Sequence, residues 1–244
     1  MQVTPYSWLM IAGILLSLWF WSRNAPRRRG MGAIYFAALA GAFIGAKIIY
    51  IFAEGWLHWN DPNRWLIFAT GKTIVGALLG GYAGVEIAKR AVGYSGVTGD
   101  FFATIAPLSI ILGRIGCLLH GCCLGLVCND SWFCLRDRTG VPRWPAVPTE
   151  IAFNLLALFA FSILRRRQIL PGQHFHLYLI TYGIFRFAHE FVRDTPAIVG
   201  PLSGYHIASL VLIVLGTTRF IQRQKKLASA PLQTSPSVVT AEFR

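Results

Sequence analysis

Residues 113–125 read GRIGCLLHGCCLG, which gathers Arg114, His120 and the thiols of Cys117, Cys122 and Cys123 into thirteen positions. A guanidinium keeps its proton and pairs bidentately with carboxylate or phosphate, while a thiolate is both nucleophile and metal ligand. A second constellation is Tyr182, Arg186, His189, Glu190 and Arg193, whose spacings of three, four and seven put them on one helical face. Both stretches are otherwise apolar, and an ionisable group at bilayer depth is costly unless paired or hydrated, so such groups mark functional sites. Arg114 has no acidic neighbour in sequence; another helix, water or a ligand must supply its partner. Two arginines in apolar surroundings fit an anion that itself belongs in a membrane, and a phospholipid headgroup is that anion. An internal Arg186–Glu190 pair that only fixes helix packing is the alternative.

The elements that must carry these residues follow from composition. The chain of 244 residues is 55% hydrophobic and only 14% charged, with a mean hydropathy of +0.52, values that suit a membrane protein and not a soluble domain. The net charge of +13 is what basic cytoplasmic loops contribute, so no nucleic-acid partner is implied. Seven apolar windows approach the roughly twenty residues that cross a hydrocarbon core: 3–21, 31–53, 72–92, 101–119, 148–164, 175–192 and 203–220. The expected fold class is all-α, a polytopic integral membrane protein of about seven transmembrane helices. No Lys or Arg precedes Arg23, so the first window reads as a retained span and not a signal peptide.

Charge parity orients the spans. Arg23, Arg27, Arg28 and Arg29, then Lys89 and Arg90, then Arg165, Arg166 and Arg167, then Arg219, Arg223, Lys225 and Lys226 fall on one side, whereas the opposite loops are nearly balanced. The positive-inside rule then puts the N-terminus outside and the C-terminus in the cytoplasm. Residues 1–226 form one domain, and 227–244, rich in Ser, Thr, Ala and Pro without apolar period, a disordered cytoplasmic tail. Glycines at 41, 45, 76, 80 and 84 let helix backbones approach closely. Lys47 and Glu86 lie nearer helix ends, where snorkelling or a Glu86–Arg90 pair accounts for them.

All five cysteines, Cys117, Cys122, Cys123, Cys128 and Cys134, lie within eighteen residues on the outer side, where disulfides persist. One or two disulfides bracing the loop, with Cys128–Cys134 or a bond from Cys122 or Cys123 as candidates, is the first reading. A thiolate and histidine metal site is the second, although C-C-x4-C-x5-C is not a standard zinc pattern and no metal is assigned. A reactive thiol, Cys117 beside the Arg114 charge, is the third.

GRIGCLLHGCCLG resembles the signature G-R-x-G-N-F-x-N-x-E-x-x-G of the bacterial prolipoprotein diacylglyceryl transferases. Further segments are similar to family motifs in the same order: GAKIIY at 45–50 to G-A-R-x-x-Y, VGALLGG at 75–81 to H-G-G-L-x-G, VPTE at 147–150 to H-P-T-Q, YLITYGIFRFAHEFVRD at 178–194 to Y-L-x-x-Y-x-x-x-R-F-x-x-E-F-x-R, and LSGYHIAS at 202–209 to L-S-x-G-Q-x-x-S. The resemblance runs from the second span to the last.

It implies transfer of the diacylglyceryl group of phosphatidylglycerol to the thiol of the lipobox cysteine of a secretory precursor, with release of glycerol phosphate and no cofactor. Arg114, Arg186 and Glu190 then become catalytic candidates, with His120 as one possible base. Tyr182, Gly113, Gly116, Gly76, Gly80 and His206 join Arg114 and Arg186 as substrate-binding candidates. The chain departs from the pattern where the family has a histidine (Val75), two asparagines (Cys117 and His120), a glutamate (Cys122), the histidine and glutamine of H-P-T-Q (Val147 and Glu150), and Gly and Gln of the last motif (Tyr205 and His206). A thiol is a weaker hydrogen-bonding group than the amide or carboxylate it replaces. His120, His189 or His206 is left to take the role of the missing base.

Overall fold

The computed structural model describes residues 5–25, 28–129 and 131–229. Residues 3 and 4 of the first window, Arg27 of the first basic loop and 230–244 of the expected tail lie outside these described residues. The elements in chain order are α1 (Pro5–Asn24), α2 (Met31–Ala53), a 3-10 turn (Gly55–His58), α3 (Arg64–Thr70), α4 (Ile74–Ala91), α5 (Gly99–His120), the two-residue strands β1 (Leu135–Arg136) and β2 (Pro142–Arg143), α6 (Ala146–Arg166), α7 (His174–Glu190) and α8 (Gly204–Ala228).

Each expected window holds a helix, with α8 running beyond the expected end at 220 to Ala228. Four of them, α2, α5, α6 and α8, are individually long and apolar enough to cross a membrane, and α3 with α4, bent by 60° across a short break, makes a fifth as a broken pair. Residues 64–70 lay in an expected loop; seven residues are too few for periodicity to reveal a helix. The Lys47 ammonium donates to the Phe68 carbonyl at 3.1 Å and to that of Ala69, tying α2 to the end of α3.

Polarity is inverted relative to a soluble domain. Phe36, Phe43, Leu156, Phe159, Ile184 and Val214 are exposed on the outside, whereas Arg114, Glu150, Asn154, Arg186 and Glu190 are buried. Only a hydrocarbon solvent makes that arrangement favourable, which identifies a multi-pass membrane protein. Small residues permit the central contact. A Cβ on Gly80 would lie 2.2 Å from the Gly41 carbonyl oxygen, and one on Gly76 would lie 2.3 Å from that of Gly45, so α2 and α4 touch backbone to backbone.

Two local devices set the ends of the site helices. Gly121, at φ 71°, terminates α5 in the left-handed conformation that glycine adopts without penalty, and its N–H returns to the carbonyls of Cys117 and Leu118. Ser203 starts α8 with a capping box in which the His206 side chain completes the reciprocal bond.

Candidate functional site

Arg114 projects from α5 onto α6, where its Nη2 meets Glu150 Oε2 at 2.7 Å. Glu150 is fully buried and is held by Tyr182 of α7, whose hydroxyl donates to Oε1 at 2.8 Å. Behind it, Asn154 donates to the Glu150 carbonyl at 2.8 Å and accepts from the Tyr178 hydroxyl at 2.7 Å. One carboxylate thus joins three helices.

The polar stripe of α7 faces the same interior. Arg186 Nη2 pairs with Glu190 Oε2 at 2.7 Å, and Glu190 Oε1 accepts from Thr195 at 2.7 Å and from Ser203 at 3.0 Å. The Arg186 guanidinium also lies over the Tyr205 ring, 5.7 Å from its centroid, and Tyr205 donates to Glu54 at the end of α2 at 2.5 Å. Arg193, just past α7, links the two halves: it reaches Glu150 and Glu190 at 3.8 Å each.

Three buried guanidinium groups therefore face two buried carboxylates. A net positive interior is unfavourable by itself, because a buried charge with no counter-charge of its own keeps its desolvation penalty. It becomes favourable when an anion enters, and guanidinium forks suit phosphate.

The cysteine loop folds against this cluster. Leu126 N–H donates to the Val192 carbonyl at 3.0 Å and Asp194 N–H to that of Leu124 at 3.2 Å, so the loop runs beside the end of α7. Its other edge pairs with the β1–β2 hairpin, where Cys128 N–H donates to Pro142 O at 3.0 Å. The disulfide is Cys128–Cys134; Cys117, Cys122 and Cys123 are free thiols. In the hairpin, the Thr139 hydroxyl and then the Arg143 guanidinium hold the Asp137 carboxyl well below the usual carboxylate range. Asp137 and Asp194 raise Arg143 in return.

The candidates separate by position. Arg114, Arg186, Glu190 and Tyr182 converge. Gly116 is buried on α5 and Gly113 faces Met10 of α1, while Gly76 and Gly80 sit at the α2–α4 crossing. His206 accepts from the Ser203 N–H at 2.9 Å and is boxed by the Phe187 and Phe191 rings. His120 is exposed at the end of α5. His189 is buried and stacks on Phe185, with neither ring nitrogen hydrogen-bonded among the described residues. Glu150 is the member that sequence reasoning missed: VPTE straddles the expected start of a span, so its acid reads as a loop charge, whereas α6 begins at Ala146 and draws Glu150 inside. Arg193 was visible on the helical stripe, but its bridging position was not.

A cavity of about 390 Å³ lies between α2, α4, α5, α7 and α8, walled by apolar groups such as Leu39, Leu78, Phe102 and Ile105, with Arg219 and Arg223 also on its lining. It extends along α5 as far as Ile110 and does not include Arg114.

The family model described as prolipoprotein diacylglyceryl transferase matches residues 1–222. A phosphatidylglycerol–prolipoprotein diacylglyceryl transferase of Dehalococcoides mccartyi is 30% identical over 249 residues, covering 94% of this chain and 92% of the relative. Proteins of the same name from Geobacter sulfurreducens (29% identity, 87% of this chain, 88% of the relative) and Vibrio parahaemolyticus (28%, 91% and 86%) are similar over comparable lengths.

Proposed function

Because the chain belongs to the prolipoprotein diacylglyceryl transferase family, we propose that it moves the diacylglyceryl group of phosphatidylglycerol onto the cysteine thiol of a lipobox-bearing precursor. The observation that carries this reading is the buried surplus of guanidinium: Arg114, Arg186 and Arg193 against Glu150 and Glu190. Phosphatidylglycerol enters sideways between helices, and its phosphate rests on Arg114 and Arg186. The acceptor thiolate attacks the glyceryl carbon that bears the phosphodiester oxygen. The C–O bond breaks, a C–S bond forms, and glycerol phosphate leaves with the electron pair. The second negative charge that it gains develops facing the guanidinium groups, so their interaction is stronger in the transition state than in the ground state. Glu190 orients Arg186, and Glu150 orients Arg114.

The site lies at the outer end of a seven-span bundle in the bacterial inner membrane, with the C-terminus in the cytoplasm, as the distribution of Lys and Arg supports. A non-catalytic phospholipid-binding protein is the second reading, favoured by Val75, a fully buried apolar side chain at the position of the family histidine. Purified protein, phosphatidylglycerol and a synthetic lipobox peptide decide between them. The transferase yields a thioether-linked diacylglyceryl peptide that Arg114→Ala does not; labelled-lipid binding with no thioether from either protein leaves the second reading.

A further inference from the structure

The three free thiols are not accounted for by the phosphate site. Cys117 lies in the last turn of α5, Cys122 and Cys123 just beyond the Gly121 cap, and their sulfur atoms all fall within 4.8 Å of one another. Cys117 Sγ and Cys123 Sγ are 3.8 Å apart. Tetrahedral zinc with Zn–S bonds of about 2.3 Å separates its sulfurs by about 3.8 Å. Cys123 holds its place at φ 62°, a left-handed conformation that side-chain-bearing residues rarely adopt. All three cysteines line a cavity of about 160 Å³ against the Trp144–Pro148 stretch, so there is room beside the sulfurs for an ion and a further group.

We infer that Cys117, Cys122 and Cys123 bind one zinc ion whose fourth position is left for an incoming thiol. Among the described residues no fourth ligand atom joins the cluster, and three protein ligands with an open position is the arrangement of a catalytic zinc. Arg114 Nη1 lies 3.9 Å from Cys117 Sγ, so the guanidinium serves as an outer-shell donor to that ligand.

The fourth position gives these replacements a role, and this part rests on the transferase reading. The lipobox thiol binds zinc as thiolate and releases its proton to water, which supplies the deprotonation otherwise left to a base. It then attacks the lipid carbon held at Arg114 and Arg186, and the thioether, a poorer ligand, departs as glycerol phosphate leaves.

Full-length protein purified in detergent, reduced, and loaded with Zn²⁺ or Co²⁺ tests this by readouts that do not need turnover. About one zinc per chain is expected, falling at least tenfold in Cys122→Ser and Cys123→Ser and unchanged in the Cys128→Ser/Cys134→Ser variant. The cobalt protein shows thiolate charge-transfer bands and tetrahedral visible absorption, and a lipobox peptide shifts the latter while its Cys→Ser analogue does not. If the serine variants do not fold, alkylation of the wild type with and without Zn²⁺, mapped by mass spectrometry, replaces them: the ion should protect all three thiols and not free Cys elsewhere in a reference peptide. Absence of stoichiometric metal, or a disulfide among the three in freshly isolated protein, overturns the inference. Full transfer by zinc-free protein overturns the thiol-activation step alone, whereas a zinc-loaded protein that binds the peptide and makes no thioether overturns the transferase reading and leaves the site.

Discussion

Arg114 on α5 and Glu150 on α6 meet at 2.7 Å with both side chains withdrawn from the surface, and Arg193 approaches the same carboxylate at 3.8 Å. Glu150 is therefore shared between two guanidinium groups and a tyrosine hydroxyl. It fixes the direction in which Arg114 points without fully cancelling the local charge, and in the proposed reaction that remainder faces the lipid phosphate.

Removing the Glu150 carboxylate should accordingly destabilise before it inactivates. Glu150→Ala leaves Arg114 uncompensated, Arg193 with Glu190 alone and Tyr182 without its acceptor, a loss of about 3–5 kcal/mol for a broken buried pair. Glu150→Gln keeps an acceptor for Tyr182 and should lose less than half of that. Thermal unfolding in detergent, followed by tryptophan fluorescence, reads the order wild type, Gln, Ala; equal melting of all three contradicts a shared carboxylate.

Arg186 should behave as a transition-state contact. Arg186→Lys retains a charge but not the fork that meets both Glu190 and a phosphate, and Arg186→Ala loses both. Transfer to a lipobox peptide should fall about 100- to 1000-fold in the alanine variant, as when a single preorganised donor is removed from a developing oxyanion. The lysine variant should lie between. The fall should be in kcat more than in KM for lipid, and a pure KM effect would assign Arg186 to ground-state binding.

How far the sequence discloses this site depends on which physical signal each residue carries. The helices are legible because twenty apolar residues in a row have few other uses, and Arg186, Glu190 and Arg193 are legible because helical spacing puts them on one face. α3 is not, since seven residues end before a period is established. Glu150 is hidden by position: beside Pro148 at an expected boundary, an acid looks solvated until the start of α6 moves out to Ala146. The closeness of Cys117 to Cys123 is hidden because it depends on the left-handed turn at Gly121 and Cys123, which no hydrophobic pattern reports. The glycines at 76 and 80 are the reverse case: their four-residue spacing reads as close helix packing, which is where they sit, and only the family resemblance suggested a substrate role for them.

That crossing gives a prediction with an internal control. Gly80→Ala puts a Cβ 2.2 Å from the Gly41 carbonyl oxygen and 2.8 Å from the Gly45 Cα, with backbone on both sides and nothing flexible to yield. α2 and α4 must separate, at a cost of about 1–3 kcal/mol typical of overpacking. Gly32→Ala, in the same α2, meets nothing within 4 Å and should gain up to about 1 kcal/mol from helix propensity. Opposite shifts in melting temperature are expected; a matching loss in both variants would contradict the backbone contact as the cause.

The β1–β2 hairpin should respond to acid and to nothing milder. Asp137 Oδ1 accepts from the Thr139 hydroxyl at 2.6 Å, the Thr139 N–H at 2.8 Å and the Val141 N–H at 3.0 Å, while Oδ2 accepts from Arg143 Nε at 2.7 Å. The Thr139 hydroxyl foremost, then Arg143, depress its folded pKa. A carboxyl lowered on folding contributes stability that is complete above its unfolded value of about 4 and is lost as pH falls through the folded value. Arg143 also reaches Asp194 at 3.0 Å and the Gly125 carbonyl at 3.2 Å, so freeing it loosens the cysteine loop and the end of α7 together. Hydrogen exchange of the Thr139 and Val141 amides, corrected for intrinsic rates, should show steady protection from about pH 8 to 5 and a decline only below about 4. Asp137→Asn should lower that protection already at neutral pH and abolish the acid step. A decline that begins near pH 6 would point to histidine and not to Asp137 as the group holding the hairpin.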